Sequence, residues 1–256
     1  MRDFDKNLVN ILCDLKENHN VIGVKTEFET EGTSFDEAEK LGNLVELTNL
    51  NYTIKIGGCG ALNDLLQAKK LNASTIVAPM VETEYALKKF IQTIQMVYSE
   101  KELQNINLFI NIETITGYNN LQEIIKTKDF KHINGIVLGR NDLVSSMLLD
   151  KSEVNSNTMV KIANTIAKEM ENFDKTLIIG GCVDENSIDF FKQINSTTFS
   201  AFETRKIIFK KNDSIKRESI LKAIEFEIYW LKNKTVKNNI DIQRINHLEN
   251  IFGIIN

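Results

Sequence analysis

INLFINIET (106–114) is the stretch from which the fold can be read. Side chains alternate across a strand, so Asn107, Phe109, Asn111 and Glu113 share one face, while Leu108, Ile110 and Ile112 take the other. The apolar face can meet helices. The opposite face ends in a carboxylate. A helical stretch (119–127) follows, then GIVLG (135–139), a second strand that runs straight into Arg140, Asn141 and Asp142. Strand, helix and strand in this order make a right-handed βαβ unit with parallel strands.

Moving outward, the same unit recurs. YTIKIGG (52–58) and TIVAPMVE (75–82) precede it; TLIIGG (176–181) and TTFSAF (197–202) follow. Near the start, VIGVKTEFE (21–29) places Ile22, Val24, Thr26 and Phe28 on one face and Lys25, Glu27 and Glu29 on the other. Ser34 with Glu37 three residues on predicts a capping box for the next helix. These seven strands predict a TIM-type (β/α)8 barrel with one strand modified or missing, since a closed barrel needs eight. The eighth is expected either as a short strand near 206–209 or as a first strand this chain has lost. No GxGxxG follows the first strand, which argues against an open dinucleotide-binding sheet. Residues 214–232 read as one long helix with a wide apolar surface. The chain therefore divides into a barrel over 1–210 and a helical extension over 211–256, packed on the barrel or on a neighbouring subunit of a homo-oligomer.

Composition narrows the function classes. The 256 residues carry 31 basic against 35 acidic side chains, a net charge of −4, which offers no basic excess for nucleic acid. No apolar run approaches the roughly 18 residues of a membrane span, and Arg2, Asp3, Asp5 and Lys6 do not open a signal peptide. Cys13, Cys59 and Cys182 form no CxxC pair, so a reducing, cytoplasmic setting is expected.

In a parallel barrel the chemistry sits at the C-terminal ends of the strands. Adjacent strands bring Glu113 and Asp142 to one rim, where two hard oxygen ligands suit Mg²⁺ or Mn²⁺. The same two acids could instead cap helices or pair with Lys55 and Arg140. Lys55, within IKIGG, can hold a substrate carboxylate or bridge to Glu27 or Glu29. Gly57, Gly58 and Gly60 at the following turn expose backbone N–H groups, a ready anion site. IIGGC (178–182) repeats that turn. His19 and His132 precede strands and fall at the opposite end of the barrel, so neither is an evident general base.

INIETITGYNNLQEI (110–124), GIVLGRNDL (135–143), and IKIGG (54–58) with IVAPMVET (76–83) resemble the HpcH/HpaI aldolase and citrate lyase β-subunit family, over residues 21–205. The resemblance implies a phosphoenolpyruvate/pyruvate-type barrel, a divalent-metal-dependent carbon–carbon lyase or aldolase acting on a 2-oxo acid. It implies Glu113 and Asp142 as ligands of Mg²⁺ or Mn²⁺. Lys55 stands where the family has a carboxylate-binding arginine, and a lysine lacks the bidentate fork. Gly57, Gly58, Pro79 and Met80 then line the substrate side with Lys55, and Lys55 or Arg140 holds the substrate carboxylate. The histidine base of the aldolase branch has no counterpart in EFETEGTSFDE (27–37). The region is more similar to the citrate lyase branch, whose acidic motif Glu29 matches most nearly, so Glu29 or a metal-bound water is expected to move the proton. The citrate lyase likeness also admits an acyl-CoA thioester as substrate. A non-catalytic barrel that binds a small carboxylate is the further alternative.

Overall fold

The computed structural model describes residues 3–28, 30–212, 215–234 and 236–255. Eight strands close into a barrel in chain order: β1 (Val21–Glu27), β2 (Asn51–Lys55), β3 (Thr75–Ala78), β4 (Asn107–Ile112), β5 (Gly135–Gly139), β6 (Thr176–Gly180), β7 (Phe199–Glu203) and β8 (Ile207–Lys210). Ahead of β1 lies α1 (Asp3–Asn18). The connections carry α2 (Phe35–Thr48), α3 (Leu62–Lys70), α4 (Glu84–Val97), α5 (Glu100–Leu103), α6 (Ile115–Asn119), α7 (Leu121–Ile125), α8 (Arg140–Ser146), α9 (Asn157–Asn172) and α10 (Ser187–Lys192). Two helices follow the barrel, α11 (Arg217–Lys232) and α12 (Asn239–Ile255).

The TIM-type barrel expected from the sequence is present, with its eighth strand where a short one was anticipated. Its direction was not anticipated. Strands β1 to β7 pair in parallel, whereas β8 is antiparallel to both β7 and β1. Chain length dictates this. A parallel crossover takes a dozen residues or more, and only residues 204–206 separate β7 from β8. The turn is closed by Thr204 N–H donating to the Ile207 carbonyl at 2.9 Å and Ile207 N–H donating to Thr204 Oγ1 at 3.1 Å.

Most strand side chains of one parity pack outward against the helices. Leu108, Ile110 and Ile112 belong to the large core between strands and helices. Inside the barrel the apolar filling is small: Val77, Phe109 and Val137, with Ile178 against them. Above this plug, towards the C-terminal rim, the interior is charged. The Ser34–Glu37 capping box on α2 forms as expected, a feature worth about 1 kcal/mol to a helix start.

The C-terminal extension is two helices rather than one. The expected helix start at Ser214 lies outside the described residues, and α11 begins at Arg217. Its apolar surface is covered largely by its own chain, α1 on one side and α12 on the other. His19 Nδ1 and Ser219 Oγ lie 2.9 Å apart across the α1–α11 contact. Arg244 clamps the buried Glu227 through one guanidinium edge, Nε and Nη2 donating to its two carboxylate oxygens at 2.8 and 3.0 Å. No helix among the described residues is long and apolar enough to cross a membrane.

Candidate functional site

The face of β4 read from the sequence does point inward. Glu113, just past its end, is 2 % exposed, and Asn111 below it is buried. Three donors meet the Glu113 carboxylate: Lys55 Nζ at 3.1 Å and Asn111 Nδ2 at 2.7 Å on Oε2, and Met80 N–H at 2.9 Å on Oε1. Of the pairings left open by the sequence, Lys55 with Glu113 forms among the described residues. Gly139 makes room for the carboxylate: a Cβ there would lie 2.6 Å from Glu113 Cβ and 2.9 Å from Oε2.

A second pair stands on the other side of the rim. Lys25 of β1 bonds Glu203 of β7 and lies 3.5 Å from Glu27. Glu203 lies over Gly180 as Glu113 lies over Gly139, since a Cβ on Gly180 would meet Glu203 Cγ and Oε1 at 3.0 Å. Beside them, Glu31 pairs with Lys206 and with Arg205 at 3.2 Å. Glu27, Glu31, Glu113 and Glu203 thus face Lys25, Lys55, Arg205 and Lys206, four carboxylates against four cations.

Burial pulls the Lys25 ammonium down, but Glu203 and Glu27 outweigh it and hold Lys25 above the ordinary lysine range. Burial pushes Glu27 up; Lys25 first, then Lys55, Lys206 and Arg205, overcome that and keep its carboxyl below the usual glutamate range. Glu27 is also the register partner of Lys55 on β2.

Arg140 does not reach the mouth. Its side chain is fully buried. Nε donates to the Gly180 carbonyl, Nη1 to the Val154 carbonyl and Asn155 Oδ1, and Nη2 to the Gly181 carbonyl and Ser187 Oγ, at 2.6 to 3.3 Å. All five guanidinium N–H groups are therefore spent, and the rings of Phe190 and Phe191 sit 4.6 and 5.5 Å away. Burial lowers its pKa to about 10, which leaves it charged at neutral pH. The expected role on a substrate carboxylate gives way to a role in fastening α8 to β6 and α10.

The other expected residues divide. Gly57 N–H is taken by Asp64 Oδ2 at 2.6 Å, so that turn is capped by its own helix. A Cβ on Gly58 would meet nothing within 4 Å, so the backbone there is open. Pro79 is buried, and Met80, at φ 47°, turns its amide onto Glu113 and its side chain outward. Burial pushes the Cys59 thiol up to about 11. Glu29 lies outside the described residues. Lys25 and Glu203 were not picked out as site residues. Lys25 was visible on the polar face of its strand, but Glu203 falls one residue past the apolar run that marked β7.

The residues present do not fit a divalent ion as they stand. Both Glu113 oxygens are engaged, one of them by an ammonium. Asp142 lies in the first turn of α8 and accepts a bond from Asn141 Nδ2 at 2.9 Å. Among the described residues no group of three or more His, Cys, Asp or Glu side chains could hold a metal. The one buried oxygen left open beside Glu113 is the neutral Asn111 Oδ1.

Residues 59–181 match the family model described as HpcH/HpaI aldolase/citrate lyase, a span that includes Glu113 and Asp142 and begins after Lys55. No curated protein matches the sequence. Among solved structures, the HpcH/HpaI aldolase from Desulfitobacterium hafniense DCB-2 is similar at 8 % identity and TM-score 0.60, over 77 % of this chain and 81 % of that one. The citrate synthase SbnG is similar at 13 % identity and TM-score 0.59, over 85 % and 86 %. An HpcH/HpaI aldolase/citrate lyase family protein from Burkholderia cenocepacia J2315 gives 10 % and 0.60, over 78 % and 83 %. The resemblance read from the motifs is borne out over residues 59–181 and supports a lyase- or aldolase-type function; the structures speak for the barrel.

Proposed function

We propose, from the family match over the central βα units, that this barrel makes or breaks a carbon–carbon bond beside the carbonyl of a small 2-oxo acid. One observation carries the reading: Lys25 and Lys55, 7 % and 9 % exposed, stand on neighbouring strands at the C-terminal end of the barrel. A 2-oxo acid brings a carboxylate, and its reaction develops negative charge on the carbonyl oxygen. Fixed cations in a site of low dielectric stabilise such charge most. Lys55 and Lys25 supply it here, with the open backbone at Gly58 beside the entrance.

Glu27 is the proton acceptor in this reading. It is held ionised by the same two lysines, so a substrate anion that shares them loosens that hold and raises its basicity as the site fills. Asn111 Oδ1, buried without a partner, is an acceptor for a ligand hydroxyl. A non-catalytic barrel that binds a small carboxylate is the second reading, favoured by the even balance of charges at the rim.

Proton NMR of pyruvate in deuterated buffer tests the proposal. Wild-type protein is expected to exchange the methyl protons and to form aldol product with added aldehydes, and Glu27→Gln to abolish both. No exchange and no product with any aldehyde, alongside saturable pyruvate binding, would establish the non-catalytic reading instead.

A further inference from the structure

We propose that the Lys55 ammonium occupies the cation position on Glu113, so that this barrel holds no exchangeable divalent metal at its mouth. The inference goes beyond the lyase reading and is independent of whether a 2-oxo acid is turned over.

A carboxylate as buried as Glu113 needs a cation or a full set of donors. It has both. Lys55 and Asn111 share Oε2, and the Met80 amide takes Oε1. A hard divalent ion binds carboxylate oxygen at about 2.0–2.6 Å. Placed on Oε2, it would stand against an ammonium that sits 3.1 Å from that same oxygen, and the two positive charges would repel in a site with little water to screen them. The carboxylate sits in the space that Gly139 leaves by lacking a side chain, and its three donors hold it there. The remaining free oxygen, on Asn111, is neutral and adds no charge to draw an ion in. The chain thus carries both acids that the resemblance pointed to, while a fixed positive charge already sits on Glu113.

Manganese EPR on chelator-stripped, dialysed protein tests this without reference to activity. Wild type is expected to leave the free Mn²⁺ signal undiminished up to millimolar metal. Lys55→Met, checked by circular dichroism for its fold, is expected to take up one Mn²⁺ per chain, and Lys55→Met with Glu113→Gln to lose it. Should Lys55→Met not fold, Lys55→Gln removes the charge while keeping a donor for Glu113 Oε2, and the same gain of one Mn²⁺ is expected. Uptake of one Mn²⁺ by wild type that disappears in Glu113→Gln overturns the proposal. So does a folded Lys55→Met or Lys55→Gln that stays silent.

Discussion

The two lysine–glutamate pairs at the rim are built alike from unlike connections. Lys55 on β2 reaches Glu113 past β4, with β3 between them; Lys25 on β1 reaches Glu203 on β7, with β8 between them. In each case the carboxylate lies over a glycine of a neighbouring strand, β5 after β4 and β6 before β7, and those glycines, Gly139 and Gly180, are register partners. One station rests on parallel βαβ units and the other on a reversed strand inserted at the seam. Strand direction is therefore immaterial to the pairing. What matters is that the two partners stand one strand apart with a glycine notch beside the acid.

The stations differ in how much else supports the acid. Glu113 keeps the Asn111 and Met80 donors when Lys55 is removed. Glu203 has Lys25 as its cation, and Lys25 also faces Glu27. Breaking a buried ion pair by removing one partner costs about 3–5 kcal/mol. Lys25→Met is expected to fall in that range and Lys55→Met clearly below it, measured by urea denaturation at neutral pH. Equal losses would mean that the two stations are energetically the same despite their different surroundings.

The glycine notches sharpen the comparison further. A methyl on Gly139 would meet Glu113 Cβ at 2.6 Å, an atom fixed to the backbone, whereas on Gly180 it would meet the more movable Cγ and Oε1 of Glu203 at 3.0 Å. Overpacking costs about 1–3 kcal/mol. Gly139→Ala should lie towards the top of that range and Gly180→Ala towards the bottom. The reverse order in thermal denaturation would show that the seam at β8 is the stiffer side.

Only the first station was legible in the sequence. INLFINIET alternates cleanly and ends in an acid, so Glu113 declared its face and its end of the barrel, and Lys55 could be named as a partner from one strand of the same pattern. Lys25 and Glu203 are 178 residues apart, and nothing local links them. Their meeting depends on barrel closure, and closure depends on β8 turning back after three residues. That turn was in principle readable from the short interval between Phe202 and Ile207, too short for a helix. Arg140 misled for the opposite reason: an arginine directly after a strand has the position of a rim residue, and only the path of the chain through Val154, Gly180 and Ser187 shows its five donors turned inward and used.

The smallest effect belongs to Glu27, which stands between the stations and draws on both lysines. Its folded-state pKa is depressed, chiefly by Lys25 and then Lys55 against the opposing pull of burial. A carboxyl of that kind adds stability that is present above its unfolded value and is lost as pH falls through the lower, folded one. Lys25, shifted upward by Glu203 and Glu27, does the converse: its contribution is full below the ordinary lysine range and fades only as pH rises through the higher folded value. The rim is thus stabilising across neutral pH and weakens at both extremes, first on the acid side in Glu27. Glu27→Gln is expected to flatten the acid limb of the stability–pH curve below the usual glutamate range while leaving the alkaline limb in place. An acid limb unchanged in Glu27→Gln would show that Glu27 does not carry that loss, and the two stations would then be independent of the residue between them.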